Sequence, residues 1–249
     1  MENFSLRLLG VGSADAVELG NASAVLERDG EPTLLIDCGH EALKSWLDRY
    51  ATPPPAIYLT HAHMDHVGGL ERLFYRVYFD AAWRGKVKLY AHAALLPILQ
   101  ARIADYPNVL AEGGANFWDG FQLIPVSRGF WHDGLWFDVF PTRHHAPHTS
   151  FGIALRGSIV WTGDTRPIPE MLAEFAAHEE LVAHDCGLVG NPSHTGLDDL
   201  EREYPAELRG RLLLYHYASV DAGRQLAAAG YRVAQAGEIV ALREPTNDV

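Results

Sequence analysis

The sequence predicts a single α/β domain over residues 1–249. Three observations predict it. Short apolar runs of strand length alternate with segments of helical spacing along the whole chain. No low-complexity linker interrupts that alternation. Finally, "LIDCG" (Leu35 to Gly39) and "AHDCG" (Ala183 to Gly187) both place Asp-Cys-Gly at the end of a short apolar strand, which two structurally similar halves or chance would equally give. With about half of its residues apolar, a chain of 249 residues can bury a substantial core.

The elements follow in order. "FSLRLLGVGSADAVELGNASAVLERDG" reads as two strands joined by a Gly- and Asn-containing loop, and "TLLIDCG" as a short buried strand ending in a turn. "HEALKSWLDRYA" has helical spacing, with Ala42, Leu43, Trp46 and Leu47 on one side, and "TPPPA" stops it. "AIYLTH" is a buried strand. A helix is expected from near Asp65, where a carboxylate meets the positive end of the helix dipole. "KVKLYAH" is a strand, "AALLPILQARIADY" a helix, and "GGANFWDGFQLIPV" a loop followed by a strand. The second half brings the strand-like runs "LWFDVFPTRHH", "SFGIALRG", "SIVWTGD", "ELVAHDCG" and "RLLLYHY". Helical "PEMLAEFAAHEE" and "LDDLEREYP" separate them, and the tail closes as helix end, strand, turn and strand.

Composition excludes several classes. A net charge of −12 argues against a broad basic surface for long nucleic acids, although a bound cation would reverse the sign locally. No apolar run approaches the ~20 residues needed to span a bilayer, so no membrane partner is expected. Two cysteines are too few for a disulfide framework, and "MENFSLRLLGVG" lacks the features of a secretory signal. The expected location is the cytoplasm.

Histidine is the anomaly. Thirteen occur, several in the tight groups "HAHMDH", "RHHAPH", "SHTG" and "YHY". A lone His-x-His is most simply a surface accident, but these groups recur where strands end. His61, His63, Asp65 and His66 follow "AIYLT", His144 and His145 follow "LWFDVFPTR", Asp164 follows "SIVWTG", and His216 closes "RLLLY". Ligands of open α/β sheets gather at carboxyl ends of strands. Imidazole and carboxylate with few thiols suit zinc, manganese or iron. The first cluster holds too many ligands for one tetrahedral ion, so two divalent ions are expected, Zn2+ first and Mn2+ second. Asp164, alone at its strand end, is the expected bridge. Two such ions can share a water whose pKa falls toward ~7.

"LTHAHMDHVGGL" also resembles the signature of the metallo-β-lactamase fold in its His-x-His-x-Asp-His hydrolase form. The resemblance covers essentially the whole chain and implies an αββα four-layer sandwich of two similar halves, with metals at one edge. "HTSFGIAL", "WTGDT" and "SHTGLDDLEREYP…LLLYHY" resemble the ribonuclease Z-like phosphodiesterase branch. "WTGDTRP", "AHDCG" and "LRGRLLLYHY" look like the anti-Pycsar cyclic-nucleotide phosphodiesterases, which open cyclic pyrimidine monophosphates. The resemblance implies one metal on His61, His63, a histidine of "HHAPH" and Asp164, and the other on Asp65, His66, Asp164 and His216. His145 fits the third histidine best, because "HAP" resembles the family's His-Val-Pro, with His144 and His148 as alternatives. His194 matches a histidine that lies near the scissile phosphate and is proposed to protonate the leaving oxygen, which makes it a catalytic candidate beside Asp65.

The implied reaction is metal-dependent hydrolysis of 3′,5′-cyclic nucleotides to linear monophosphates. The nearest alternative is a transfer-RNA 3′-end endonuclease, against which stand the acidic charge and the lack of a long basic arm. Asp37 and Asp185 sit where carboxylates would hold ligand imidazoles in the right tautomer. Phe117, Trp118, Phe121, Phe130 and Trp131 lie near glycines and suit either core packing or a base-stacking lid. Asn116 and Arg166 are candidate contacts to base or phosphate. Related lids reach across a homodimer, so a dimer is expected.

Overall fold

A computed structural model describes residues 2–111 and 113–246. Fourteen strands among the described residues form two seven-stranded sheets. In chain order the strands are β1 (Phe4–Gly10), β2 (Ser23–Arg28), β3 (Glu31–Ile36), β4 (Ala56–Leu59), β5 (Val87–His92), β6 (Phe121–Val126), β7 (Gly129–His132), β8 (Leu135–Pro141), β9 (Phe151–Leu155), β10 (Ile159–Trp161), β11 (Leu181–Asp185), β12 (Leu212–Tyr215), β13 (Arg232–Val233) and β14 (Ile239–Leu242). The first sheet runs β14-β1-β2-β3-β4-β5-β6 and the second β13-β12-β11-β10-β9-β8-β7. Both are mixed. β3 to β6 are mutually parallel, as are β10 to β13, while hairpin-like antiparallel pairs join β1 to β3 and β7 to β10.

The parallel strands explain their own sequences. β4 ("AIYL") and β12 ("LLLY") are buried at every position, so they read as continuous apolar runs rather than alternating ones. The sheets pack face to face. Leu6, Leu26, Leu34 and Ile36 of the first line one apolar seam with Phe137, Ile153, Leu155 and Trp161 of the second. Burying side chains of this size stabilises by about 1.5–3 kcal/mol each relative to exposure.

Helices flank the sheets. Helix α1 (His40–Tyr50) buries Ala42, Leu43 and Trp46, with Leu47 half-buried, on the expected side. Helix α2 (Met64–Val67) is one turn and leads through Gly68 into α3 (Gly69–Tyr78), so the expected helix from Asp65 is present in two pieces. "AALLPILQARIADY" departs from expectation. Only Leu96–Leu99 is α-helical, between a 3-10 turn (Ala93–Leu95) and a π-helical stretch (Gln100–Ala104). "PEMLAEFAAHEE" is helical only over Pro169–Phe175, where backbone hydrogen bonds end at Ala176.

This topology positions the site. β1, β3, β4 and β5 end at one edge of the first sheet, and β8, β10, β11 and β12 at the matching edge of the second. The chain approaches itself closely there: a Cβ on Gly39 would lie 1.9 Å from the Asp65 carbonyl oxygen, so only glycine fits after Asp37-Cys38.

Candidate metal centre

The sequence clusters meet at that edge in two groups. The first contains His61, His63, His144 and Asp164, and the second Asp65, His66, Asp164 and His216. Asp164 belongs to both and is 1% exposed.

Donor atoms converge. In the second group, His66 Nε2 lies 3.3 Å from Asp65 Oδ2 and 3.3 Å from Asp164 Oδ2. His216 Nε2 lies 3.6 Å and 3.2 Å from the same two atoms. In the first, His61 Nε2 is 3.7 Å and His144 Nε2 3.8 Å from Asp164 Oδ2, and His144 Nε2 is 3.2 Å from His63 Nδ1. Four N/O donors around one tetrahedral ion sit roughly 3.4 Å apart at ordinary bond lengths. The spacing fits.

So does the hydrogen bonding. His61 Nε2, His66 Nε2, His216 Nε2 and both Asp164 oxygens are buried without a hydrogen-bond partner among the described residues. Several orphaned polar atoms pointing at one another would be costly in an ordinary core. Cations coordinated between them resolve that cost, so the donor set fits a dinuclear metal site.

Comparison with known proteins agrees. The family model "Anti-Pycsar protein Apyc1" matches residues 4–240. The chain belongs to the anti-Pycsar Apyc1 family. An Apyc1 relative from Saccharibacillus brassicae is 30% identical over 222 residues, covering 86% of this chain and 90% of that protein. Among solved structures, the metallo-β-lactamase fold protein YhfI from Bacillus subtilis superposes with a TM-score of 0.72 at 15% identity, covering 96% of this chain and 99% of that one. A diphosphatase of the PhnP family superposes at 0.75 with 18% identity, covering 98% and 100%. The architecture is therefore the expected metallo-β-lactamase fold, and this Apyc1-family chain is a hydrolase of that fold with a His/Asp metal-site cluster.

Outside the donors, a second layer fixes which imidazole nitrogen carries the proton. Asp37 Oδ2 accepts from His66 Nδ1 at 2.8 Å and from the Thr60 hydroxyl at 2.7 Å. With its proton given to Asp37, the Thr60 oxygen accepts from His61 Nδ1 at 3.0 Å. The Ser193 carbonyl accepts from His144 Nδ1 at 2.9 Å. Asp185 Oδ2 accepts from His194 Nδ1 at 2.7 Å, while its Oδ1 faces His216 Nδ1 at 3.4 Å. In each ligand ring held this way Nε2 is left free for a metal, as second-layer partners ordinarily arrange. The Asp-Cys-Gly echo thus supplies both supporting carboxylates. Asp37 and His216 also hold left-handed backbone, at φ 60° and 66°.

Charge differs across the site. Burial opposes a proton on His66, but Asp164 and Asp37 outweigh it and raise its pKa well above the usual value. Burial is likewise outweighed at His216, where Asp164, Asp185 and Asp65 push the pKa up to about 10. Burial prevails at His61, which is lowered well below the ordinary range, and at His144, which falls to about 4. Asp164 is buried, yet the surrounding imidazoles hold it well below the usual carboxylate value.

One expected donor lies outside its group. The histidine brought into the first group is His144, not His145. The backbone N–H of Arg143 donates to Thr165 Oγ1 and His144 Nδ1 to Ser193, which turns the His144 ring inward. The next residue must face outward: His145 is exposed and meets the outer nitrogen of His63, Nε2 to Nε2, at 2.7 Å. His148 is also exposed, with left-handed backbone at φ 63°.

Of the two readings of the aromatics near glycines, core packing holds for three, while Trp131 is exposed. Phe117, Phe121 and Phe130 are core residues, Phe117 stacking on Phe74 and Phe130 on Tyr90. Trp118 donates to Gln100, and Trp131 packs edge-on against Trp136. Asn116 uses its side-chain oxygen on the Trp118 backbone N–H. Asp185 and the Ser193 carbonyl emerge as organisers of the site. "AHDCG" signalled the first, but nothing in the sequence marked the second.

Proposed function

We propose that this chain is a dinuclear phosphodiesterase that opens 3′,5′-cyclic nucleotides, cyclic pyrimidine monophosphates included, to linear monophosphates. The observation that carries the reading is the pair of four-donor groups sharing Asp164, with buried imidazole nitrogens that have no hydrogen-bond partner among the described residues converging on the Asp164 carboxylate at 3.2 to 3.7 Å. One ion would be held by His61, His63, His144 and Asp164, the other by Asp65, His66, Asp164 and His216. Zn2+ suits these imidazole and carboxylate donors, and Mn2+ is the alternative. Bound divalent ions supply charge to phosphoryl oxygens and lower the pKa of water.

The protein's own groups do the rest. His66 and His216 are oriented by Asp37 and Asp185. His194 stacks on His216 with ring centroids 5.0 Å apart and gives its Nδ1 proton to the Asp185 hydrogen bond, which leaves Nε2 for the substrate. An alkoxide is a poor leaving group, and an imidazolium at this position is suited to protonating it. Asp65, on the short α2 turn, joins the second group while its backbone packs on Gly39. The choice of a cyclic nucleotide rests on family membership and on "WTGDTRP" and "AHDCG". The protein is further read as a cytoplasmic homodimer. Unpaired buried Cys38 and Cys186 accord with a reducing compartment, and exposed Tyr106 and Val109 beyond β5 with a subunit contact.

The test is chromatographic. Purified protein with zinc or manganese, and in parallel with chelator, is incubated with a panel of 3′,5′-cyclic mononucleotides. Metal-dependent appearance of linear monophosphates is expected. Cleavage of a precursor transfer RNA with no cyclic nucleotide opened would overturn the reading in favour of RNA processing. A stable monomer by light scattering at micromolar concentration would remove the dimer.

A further inference from the structure

His63 is oriented differently from the other histidine donors. His61, His66, His144 and His216 turn Nδ1 toward Thr60, Asp37, Ser193 and Asp185, and Nε2 toward the site. His63 is reversed. Its Nδ1 lies 3.2 Å from His144 Nε2, inside the first group, and its Nε2 points outward to His145 Nε2 at 2.7 Å. Both members of this outer pair are anchored locally. The His63 carbonyl accepts from the backbone N–H groups of His66 and Val67 at 3.0 and 2.9 Å, which starts α2. The His145 ring lies against that of His144, with centroids 3.8 Å apart, and His144 is itself fixed on the Ser193 carbonyl.

Counting protons shows what this pair does. A neutral imidazole carries one N–H and one bare nitrogen. His144 spends its N–H on the Ser193 carbonyl, so its Nε2 is bare. Two bare nitrogens 3.2 Å apart repel, so His144 Nε2 and His63 Nδ1 need either a proton or a cation between them. Before a cation binds, His63 Nδ1 holds the proton, donates it to His144, and leaves Nε2 to accept from His145. With a cation on Nδ1, the one His63 proton is on Nε2, whose partner among the described residues is His145 Nε2. His145 must then present a bare nitrogen. Its ring is exposed, so its own proton can pass through water from Nε2 to Nδ1, and the two rings together neither gain nor lose a proton.

We propose that His145 is a positioning residue for the first metal position: it accepts the His63 Nε2–H, holds His63 Nδ1 bare toward the donor group, and changes tautomer when the position fills. The residue expected to bind metal thus acts on it through the ring of its neighbour. Partners that orient a ligand imidazole in this way ordinarily contribute about 10–100-fold in metal affinity. An acceptor is what the role requires, so a side chain with a carbonyl oxygen can replace the imidazole and an apolar one cannot. The inference rests on the two-ion part of the proposed function and not on the choice of substrate.

The experiment compares the full-length protein with His145→Leu, which has no acceptor, and His145→Gln, which keeps one. Zn2+ affinity is measured by titration against a competing chelator, and the weakened position is identified as the one that His144→Ala removes. Imidazole 15N NMR, with the His63 signals assigned by their loss in His63→Gln, reports which nitrogen carries the proton. On loading the unaltered protein with Zn2+, the His63 proton is expected to move from Nδ1 to Nε2. His145→Leu should weaken the first position about 10–100-fold, leave the second unchanged, and still hold two ions at saturating Zn2+. His145→Gln should recover most of that affinity. Equal affinity in all three proteins, an equal loss in both variants, or a His63 proton that stays on Nδ1 in the loaded protein would overturn the inference alone. Fewer than two ions in the unaltered protein would overturn the two-ion reading and the inference with it. The expected affinities without opening of any cyclic nucleotide would leave the inference standing and remove only the substrate.

Discussion

The two donor groups share Asp164 but are supported differently. Behind the second stand two carboxylates, Asp37 on His66 and Asp185 facing His216, and Asp65 adds another negative charge within it. Behind the first stand no carboxylates: the Thr60 hydroxyl meets His61, the Ser193 carbonyl meets His144 and the exposed ring of His145 meets His63. Burial differs too: His66, Asp164 and His216 are buried and the Asp65 side chain is 8% exposed, while His63 is half-buried. The raised pKa values of His66 and His216, against the lowered ones of His61 and His144, express the same asymmetry. A cation is held more strongly where carboxylates surround it in a poorly solvated setting. On the proposed two-ion reading, one fold edge would thus build a tight position and a looser one.

The change expected to erase the comparison altogether is Asp164→Ala. It should empty both positions and lower diester hydrolysis about a thousandfold or more, because several kcal/mol of charge stabilisation depart with the ions. Elemental analysis showing two ions per chain in that variant would refute the shared carboxylate. Next in size, His144→Ala should leave one ion per chain, while His145→Ala should keep two. The reverse pattern would restore His145 as the ligand. Asp37→Asn should weaken the second position by about 10–100-fold, the usual effect of losing a second-layer partner, as read by titration against a competing chelator. Loss confined to the first position would contradict the assignment of Asp37 to His66.

The smallest effect provides a control far from the metals. Burial opposes ionisation of Glu27, but hydrogen bonds from Arg7, Tyr50 and Ser5 prevail and hold its pKa below the usual value. A depressed folded-state pKa contributes stability above the unfolded value of about 4.3, and that contribution disappears as pH falls through the folded value. Glu27→Gln should cost roughly 1–3 kcal/mol near pH 7. The difference in Tm from the unaltered protein should shrink below pH 4. A constant difference across that range would mean that packing, not charge, is responsible.

Much of this was legible in sequence because the chemistry is local to strand ends. "HAHMDH" packs four donors into one turn, and Asp164 and His216 stand at the ends of uniformly apolar strands. The choice between His144 and His145 was not legible. It depends on a carbonyl 49 residues away, at Ser193, and on Thr165, which holds the Arg143 backbone. The aromatics around residues 117–131 were ambiguous for a related reason. Whether a ring stacks on a base or on Phe74 and Tyr90 is decided by β5, β6 and α3 together, not by neighbouring glycines. The broken helix over residues 93–104 keeps its apolar spacing, so its change of pitch leaves little trace in the pattern.

Asp37 and His216 occupy backbone conformations that non-glycine residues rarely adopt, at a cost of about 1–3 kcal/mol each. Such conformations persist only where the surrounding structure enforces them, and here the Asp37 backbone N–H donates to the buried Tyr58 carbonyl at 2.9 Å and that of His216 to the buried Val11 carbonyl at 2.7 Å. On the proposed two-ion reading, metal affinity would therefore be coupled to core packing. A cavity-forming change several residues from any ligand would allow the backbone to relax toward ordinary angles, and its first symptom would be leakage of metal rather than unfolding.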